Sequence, residues 1–96
     1  MNLAINYDET RNVGNQLITK AEDLNNLLNN INGINEQISQ SWAGNDASKY
    51  FATVNEQAQY MRQLANTISE IGNYLIRVSN AYQNASDNNA NAINLQ

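Results

Sequence analysis

Cysteine, histidine and proline are all absent from this 96-residue sequence. Without cysteine the chain forms no disulfide, and without cysteine and histidine it lacks the commonest ligands of structural and catalytic metal sites. We therefore expect neither a metal nor a cofactor. A chain of this length is one domain at most and buries little surface by itself. Association with a partner chain is then the remaining way to stabilise it.

Positive charge is scarce as well. The formal net charge is −4, and the five basic residues are scattered along the chain. No basic stripe is available for phosphates and no polybasic cluster for anionic lipid, so we expect no nucleic-acid binding. No apolar run approaches the roughly 18 residues of a membrane span. The N-terminal segment has neither the charged nor the apolar region of a cleaved signal peptide, so we expect any export to proceed without one.

Catalytic side chains are also missing. The sequence has no histidine or cysteine to act as base or nucleophile, and no glycine-rich phosphate loop. The acidic pairs Asp8-Glu9 and Glu22-Asp23 are adjacent in sequence, so on a helix their carboxylates diverge. A thin helical bundle also offers no obvious concave pocket. We predict that the protein is not an enzyme.

Apolar residues recur at helical spacing from about residue 7 to 40, and the lack of proline permits a long helix there. Asn6 or Asp8 is placed to cap its start. Gly14 and Gly33 each weaken the helix by roughly 1 kcal/mol relative to alanine. The apolar residues that we assign to the hairpin or dimer core are Leu17, Leu24, Leu28, Ile31 and Ile38.

A second helical segment, from about residue 46 to 83, has a wider apolar face. Its predicted core residues are Phe51, Val54, Met61, Ile68 and Leu75. A row of small residues beside them, Ala58, Ala65, Gly72 and Ser79, lets another backbone approach closely. Because one partner helix does not cover this face, we expect two chains to associate as a four-helix bundle.

Residues 41–45 form the only turn between the two periodic segments. Gly44 is suited to end the first helix in the left-handed conformation, and Asn45 or Asp46 to cap the second. The predicted fold is therefore all-α, an antiparallel two-helix hairpin over residues 1–83. After residue 83 the bulky apolar periodicity stops, and asparagine dominates as it does along much of the chain. We expect residues 84–96 to be a flexible tail, and we assign the asparagine excess no functional weight.

Trp42, the only tryptophan, lies in this turn as part of Trp42-Ala43-Gly44. From its chemistry alone it is either an aromatic plug at the end of the bundle or part of a recognition surface. With this tryptophan in the turn of a chain of this length, the sequence resembles the WXG family of about one hundred residues. That family includes the ESAT-type early secreted antigens and related proteins exported by type VII (ESX or Ess) secretion systems. The resemblance implies helical hairpins that pair as homodimers or heterodimers, exported folded by a membrane complex with an ATPase.

The resemblance also implies a Tyr-x-x-x-Asp/Glu secretion signal beyond the second helix, and here the match is imperfect. Tyr82 lies in the right region, but Ser86 follows it by four residues and the acidic Asp87 comes one position later. Either this chain uses a variant signal or its partner supplies a better one. Tyr82 as a packed aromatic and Asp87 as a solvated tail residue remain the alternatives. The resemblance assigns secretion or recognition to Trp42, Gly44, Tyr82 and Asp87.

The leading functional hypothesis is an extracellular protein of a type VII secretion system, cytoplasmic before export, that acts through protein–protein contacts. Its expected partners are a second copy, a second WXG-type protein and the secretion ATPase. One alternative is an adaptor or chaperone that carries a larger toxin to the same machine. Another is a membrane-active helical effector, although the lack of basic residues beside the apolar face argues against it.

Overall fold

The computed structural model describes residues 6–94, with side chains described up to residue 89. This part of the chain contains two α-helices, α1 over Tyr7–Ser39 and α2 over Asn45–Asn94, and no β-strand. The predicted all-α fold is confirmed. Dimerisation stays a prediction.

Asn6 caps the start of α1. Its side-chain Oδ1 accepts a hydrogen bond from the backbone N–H of Glu9 at 3.0 Å, and its carbonyl accepts one from Thr10 at 2.9 Å. The first bond pairs one of the amide groups that a helix start leaves without an intrahelical partner. Of the two capping residues that the sequence suggests, the structure uses Asn6.

Gly44 starts the second helix, and the expectation that it ends the first is wrong. α1 has already ended at Ser39, where a tighter last turn joins the Ser41 N–H to the Ile38 carbonyl at 3.0 Å. Gly44 has a φ of +112°, a backbone angle that residues other than glycine rarely adopt. Its carbonyl accepts the first hydrogen bond of α2, from Ser48 at 3.0 Å. Gly44 therefore occupies the cap position that the sequence assigned to Asn45 or Asp46.

The second helix is longer than the sequence suggests. It continues to Asn94, whereas the loss of bulky apolar residues places its end near residue 83. No proline interrupts this stretch, and adding residues to an existing helix is far easier than starting a new one. The expected end of α2 is therefore too early, while a role of residues 84–96 in secretion stays a prediction.

Contacts divide the chain into two compact units, and each combines part of both helices. The turn unit is residues 20–68, and the terminal unit is residues 1–19 with 69–96. In the turn unit Asn35 bonds to Tyr50, while Asn29, farther from the turn, bonds to Arg62. This order shows that its two helical segments run antiparallel.

The terminal unit is also antiparallel, and its two helices meet at a pair of glycines. A Cβ built on Gly14 would lie 2.7 Å from the Gly72 carbonyl oxygen, and one built on Gly72 would lie 2.6 Å from the Gly14 oxygen. Neither backbone atom can move aside as a flexible side chain would. The close approach therefore requires glycine at both positions.

The buried positions of α1 recur every seven residues and are mostly small. Gly14 and Ala21 are followed by Leu28 and then by the polar Asn35. On α2 the buried residues include Ala65 and Ser79, each 0% exposed. Leu28 is the only large apolar side chain that is buried among the described residues. The helices thus pack along a line of small residues, while most larger apolar residues flank that line.

Candidate functional site: the turn and its groove

Three aromatic rings meet beside the turn. The Trp42 ring centroid lies 5.2 Å from that of Tyr50 and 5.7 Å from that of Phe51, and the Tyr50 and Phe51 centroids are 5.2 Å apart. The rings are tilted or edge-on to one another, which is the favourable arrangement for aromatic pairs. Trp42 is 39% exposed, so its ring packs on this aromatic cluster and also faces solvent. The packing role and the recognition role of Trp42 are therefore compatible.

Asn35 lies within hydrogen-bond distance of this cluster. The Tyr50 hydroxyl donates to Asn35 Oδ1 at 2.9 Å, across from α2 to α1. Asn35 is only 8% exposed. Its other polar atom, Nδ2, is buried and finds no acceptor within the described part of the chain. A buried donor without an acceptor costs roughly 1–3 kcal/mol.

An open groove of about 360 Å³ lies at this end of the turn unit. The sequence predicts no obvious concave pocket in a thin helical bundle, whereas the described residues of this single chain form an open groove. Three carboxamides, one carboxylate, one hydroxyl and one aromatic ring line it: those of Asn32, Asn35, Asn55, Glu36, Ser39 and Phe51. We call this surface the asparagine groove.

The turn unit also exposes large apolar side chains. Ile34 is 56% exposed and Leu27 54%, and both lie on α1. On α2 the exposed residues of this unit include Tyr60, Met61 and Leu64. Where such side chains form one contiguous patch, the patch is typical of an interaction surface.

The terminal unit has exposed apolar residues of its own, Val13, Ile71, Tyr74 and Tyr82. Here Arg11 joins the two helices through hydrogen bonds to Asn80 at 3.0–3.1 Å and to Gln83, while Asp8 pairs with the same guanidinium at 3.2 Å. Tyr82 is 52% exposed, and Asp87 is exposed on the same helix. Because α2 is helical throughout this stretch, Asp87 lies about 100° around the axis from the family position that Ser86 occupies.

The predicted core residues are placed unevenly. Leu28 is buried, whereas Ile31 and Met61 are 40% and 42% exposed. The others are half-buried: Leu17, Leu24, Ile38, Phe51, Val54, Ile68 and Leu75. A partly exposed position is what a residue shared between the hairpin and a dimer would have, so their role at a dimer interface stays a prediction.

The sequence interpretation missed the asparagine groove. Asn35 is the fourth member of the seven-residue series that begins at Gly14, and a polar residue in such a series is a detectable signal. Reading Leu17 to Ile38 as the main stripe obscured it. The groove itself depends on side chains of α2, which a pattern within α1 does not contain.

No helix within residues 6–94 combines the length and apolar character that crossing a membrane requires. In the same part of the chain no group of three or more His, Cys, Asp or Glu side chains is arranged to hold a metal ion.

Comparison with known proteins adds the family. The model of the family described as proteins of 100 residues with WXG matches residues 2–87. Searches of curated proteins and of solved structures return no match. The match includes Trp42 and Gly44, the residues that form the turn between α1 and α2. The chain therefore belongs to the WXG100 family.

Proposed function

We propose that the protein is exported by a type VII secretion system and acts there as a dimeric substrate or partner through protein–protein contacts. The WXG100 family is known for substrates of these systems. The single observation that carries the proposal is the Trp42 ring, held by Tyr50 and Phe51 and yet 39% exposed in the turn. A ring fixed on one side and open on the other is available to an export component at little entropic cost.

The exposed apolar residues support the dimeric part of the proposal. Each unit exposes aliphatic and aromatic side chains in excess of what its own two helical segments cover. A second hairpin would bury them, and this would supply the stability that a single small hairpin lacks. The second chain is a copy of this one or another WXG-type protein.

Export by the secretion ATPase is tested with two Trp42 variants in the native host. Trp42→Ala removes the ring, whereas Trp42→Phe retains an aromatic ring that packs on Tyr50 and Phe51 but lacks the indole. We expect both variants to accumulate in cells at the wild-type level and to fall at least tenfold in the culture supernatant. A strain without the ATPase supplies the baseline. Export of Trp42→Ala at the wild-type level would contradict the recognition role. If Trp42→Ala is no longer exported but Trp42→Phe is, packing of the aromatic ring is what export requires.

The assembly is tested by size-exclusion chromatography with light scattering on the purified chain, alone and mixed with candidate WXG-type partners. The monomer mass is 10.7 kDa, so a dimer is expected at twice that value. A chain that stays monomeric at every concentration and with every partner would exclude the dimeric part.

The off-register Asp87 favours one alternative, an adaptor that carries a larger toxin bearing its own signal. Export of the chain would then depend on that toxin. Deleting the toxin gene should abolish secretion of this chain under the adaptor hypothesis and leave it unchanged under the leading one.

A further inference from the structure

The asparagine groove shares Phe51 with the aromatic cluster that holds Trp42, but its polar residues lie apart from the exposed apolar residues of the turn unit. At 100° per residue, its α1 members lie on the opposite side of the Asn35 line from the exposed Ile31 and Ile34. The same count of 100° per residue places Asn55 and Met61 on different sides of α2. A second hairpin seated on Ile31, Ile34 and Met61 would therefore leave the polar side of the groove open.

The groove has a specific chemical character. Glu36 is its only charged lining residue, and no basic side chain lines it. Asn32 Nδ2 lies 3.4 Å from Glu36 Oε1, at the long end of a hydrogen bond, and the Ser39 hydroxyl is already bonded to the Glu36 carbonyl. One carboxylate oxygen can thus accept stronger bonds from a ligand. Phe51 adds an aromatic ring on which a cation or an alkyl chain can rest.

Asn35 adds the opposite requirement. Its Nδ2 is a buried donor with no acceptor among the described residues, and it belongs to a side chain that lines the groove. A ligand that satisfies the whole site must therefore offer a positive charge to Glu36 and an oxygen acceptor to Asn35. A free amine or a metal ion offers the first without the second, and an anion offers the second but is repelled by Glu36.

A peptide segment with a basic side chain offers both. Its guanidinium or ammonium group can pair with Glu36 over the Phe51 ring, while a main-chain carbonyl accepts from Asn35 Nδ2. We propose that the asparagine groove binds an arginine- or lysine-bearing segment of a partner protein. The net charge of −4 favours the approach of such a segment. This binding does not depend on type VII export.

The test is a nuclear magnetic resonance titration of the ¹⁵N-labelled full chain with a seven-residue acetylated and amidated peptide that has arginine at its centre, flanked by alanine and glycine. We expect shifts in the backbone amides of residues 32–39 and 51–55 and in the side-chain amide of Asn35. The same peptide with norleucine or glutamate in place of arginine should bind at least tenfold more weakly. Equal binding of the glutamate peptide, or shifts confined to other residues, would overturn the proposal.

Glu36→Gln supplies the decisive variant, and Glu22→Gln is its matched control. Glu22 lies fourteen residues earlier on the same side of α1, within the same unit, and carries the same charge. We expect Glu36→Gln to weaken binding at least tenfold and Glu22→Gln less than twofold. If both variants weaken it equally, the attraction is only general charge and the groove is not the site.

The donor role of Asn35 is tested separately with the pair Asn35→Leu and Tyr50→Phe in one chain, so that neither hydrogen-bond partner is left alone. We expect at least threefold weaker binding of the arginine peptide by the double variant than by Tyr50→Phe alone. Undiminished binding would show that Asn35 is not part of the site. Dilution of the free chain is a last check, because concentration-dependent shifts at the groove would mean that a second copy occupies it, which would also overturn the proposal.

Discussion

The terminal unit and the turn unit use the same seven-residue line of α1 in different ways. In the terminal unit the line provides Gly14, whose backbone lies directly against that of Gly72. In the turn unit it provides Ala21, Leu28 and Asn35, which place side chains between the helices. The period therefore tells which side of α1 meets α2, but the size of each residue decides whether backbone or side chain makes the contact.

A second difference lies in what each unit leaves available. In the terminal unit the Arg11 guanidinium bonds to Asp8 on its own helix and to Asn80 and Gln83 on α2, so it links the two helices. The turn unit contains a similar link from Arg62 to Asn29 at 3.0 Å, but it also contains the unpaired Nδ2 of Asn35 and the asparagine groove. Buried polar atoms without a partner are rare in folded proteins, so the Asn35 amide calls for a specific explanation. This difference is what supports the proposal that the turn unit binds a partner through the asparagine groove.

Leu28→Ala should have the largest effect, and it should act on the turn unit. Leu28 is 7% exposed, and the cavity left by losing its side chain is expected to cost about 3 kcal/mol of unfolding free energy. Urea denaturation at fixed protein concentration measures the change, because the stability of an associating chain depends on concentration. Leu27→Ala, next to it and 54% exposed, is the control. We expect Leu27→Ala to lower stability only if two chains associate, that is, only where dilution also lowers the stability of the unchanged protein. A larger loss from Leu27→Ala than from Leu28→Ala would reverse the assignment of the packing line.

Gly14→Ala and Gly72→Ala test the terminal unit by adding a methyl group, whereas Leu28→Ala removes three carbons from the turn unit. The new Cβ meets a backbone oxygen of the facing helix, and overpacking of this kind costs roughly 1–3 kcal/mol. The better helix propensity of alanine returns up to about 1 kcal/mol, so we expect a net loss near 1.5 kcal/mol from either change. Hydrogen exchange should show faster opening in residues 6–19 and 69–89. A gain in stability from either variant would mean that the helices do not touch at this point.

The all-α fold, the turn and the Asn6 cap could be predicted because each depends on residues close in sequence. Periodicity marks helices, and glycine and tryptophan mark the turn. The end of α2 could not be placed, since the residues after Tyr82 have no apolar pattern and yet continue a helix already formed. Gly14 was interpreted only as a weak point of the helix, because its benefit comes from Gly72, which is far away in sequence.

The sequence could predict those site residues that are distinctive by themselves, such as a unique residue type at a predicted turn. Trp42 stands out by its uniqueness and its place in the turn. Asn35 does not, because the chain is rich in asparagine, and we gave that excess no functional weight. The structure gives some of these residues distinct tasks: Asn6 caps α1, Asn29 and Asn80 accept from arginines, and Asn35 is buried.

Tyr50→Phe isolates the polar contact of the turn unit. The change removes one hydroxyl and leaves Asn35 Oδ1 buried without this donor, so we expect a loss of about 1 kcal/mol in unfolding free energy. Tyr60→Phe is the matched control, because its hydroxyl makes only a 3.5 Å contact with Glu56 on the exposed surface of the same helix. The control should change stability by less than about 0.5 kcal/mol. Equal effects of the two changes would show that the bond between Tyr50 and Asn35 contributes nothing specific.

Gly33→Ala gives the smallest effect and the opposite sign. Gly33 lies within α1 in the turn unit, and a Cβ built there meets nothing within 4 Å. Alanine loses less conformational entropy than glycine in forming a helix, so we expect a gain of about 0.7 kcal/mol, measured by thermal denaturation at fixed protein concentration. The same substitution is thus expected to destabilise the chain at Gly14 and to stabilise it at Gly33. A loss of stability from Gly33→Ala would mean that another chain covers this position, and dilution would then reduce the loss.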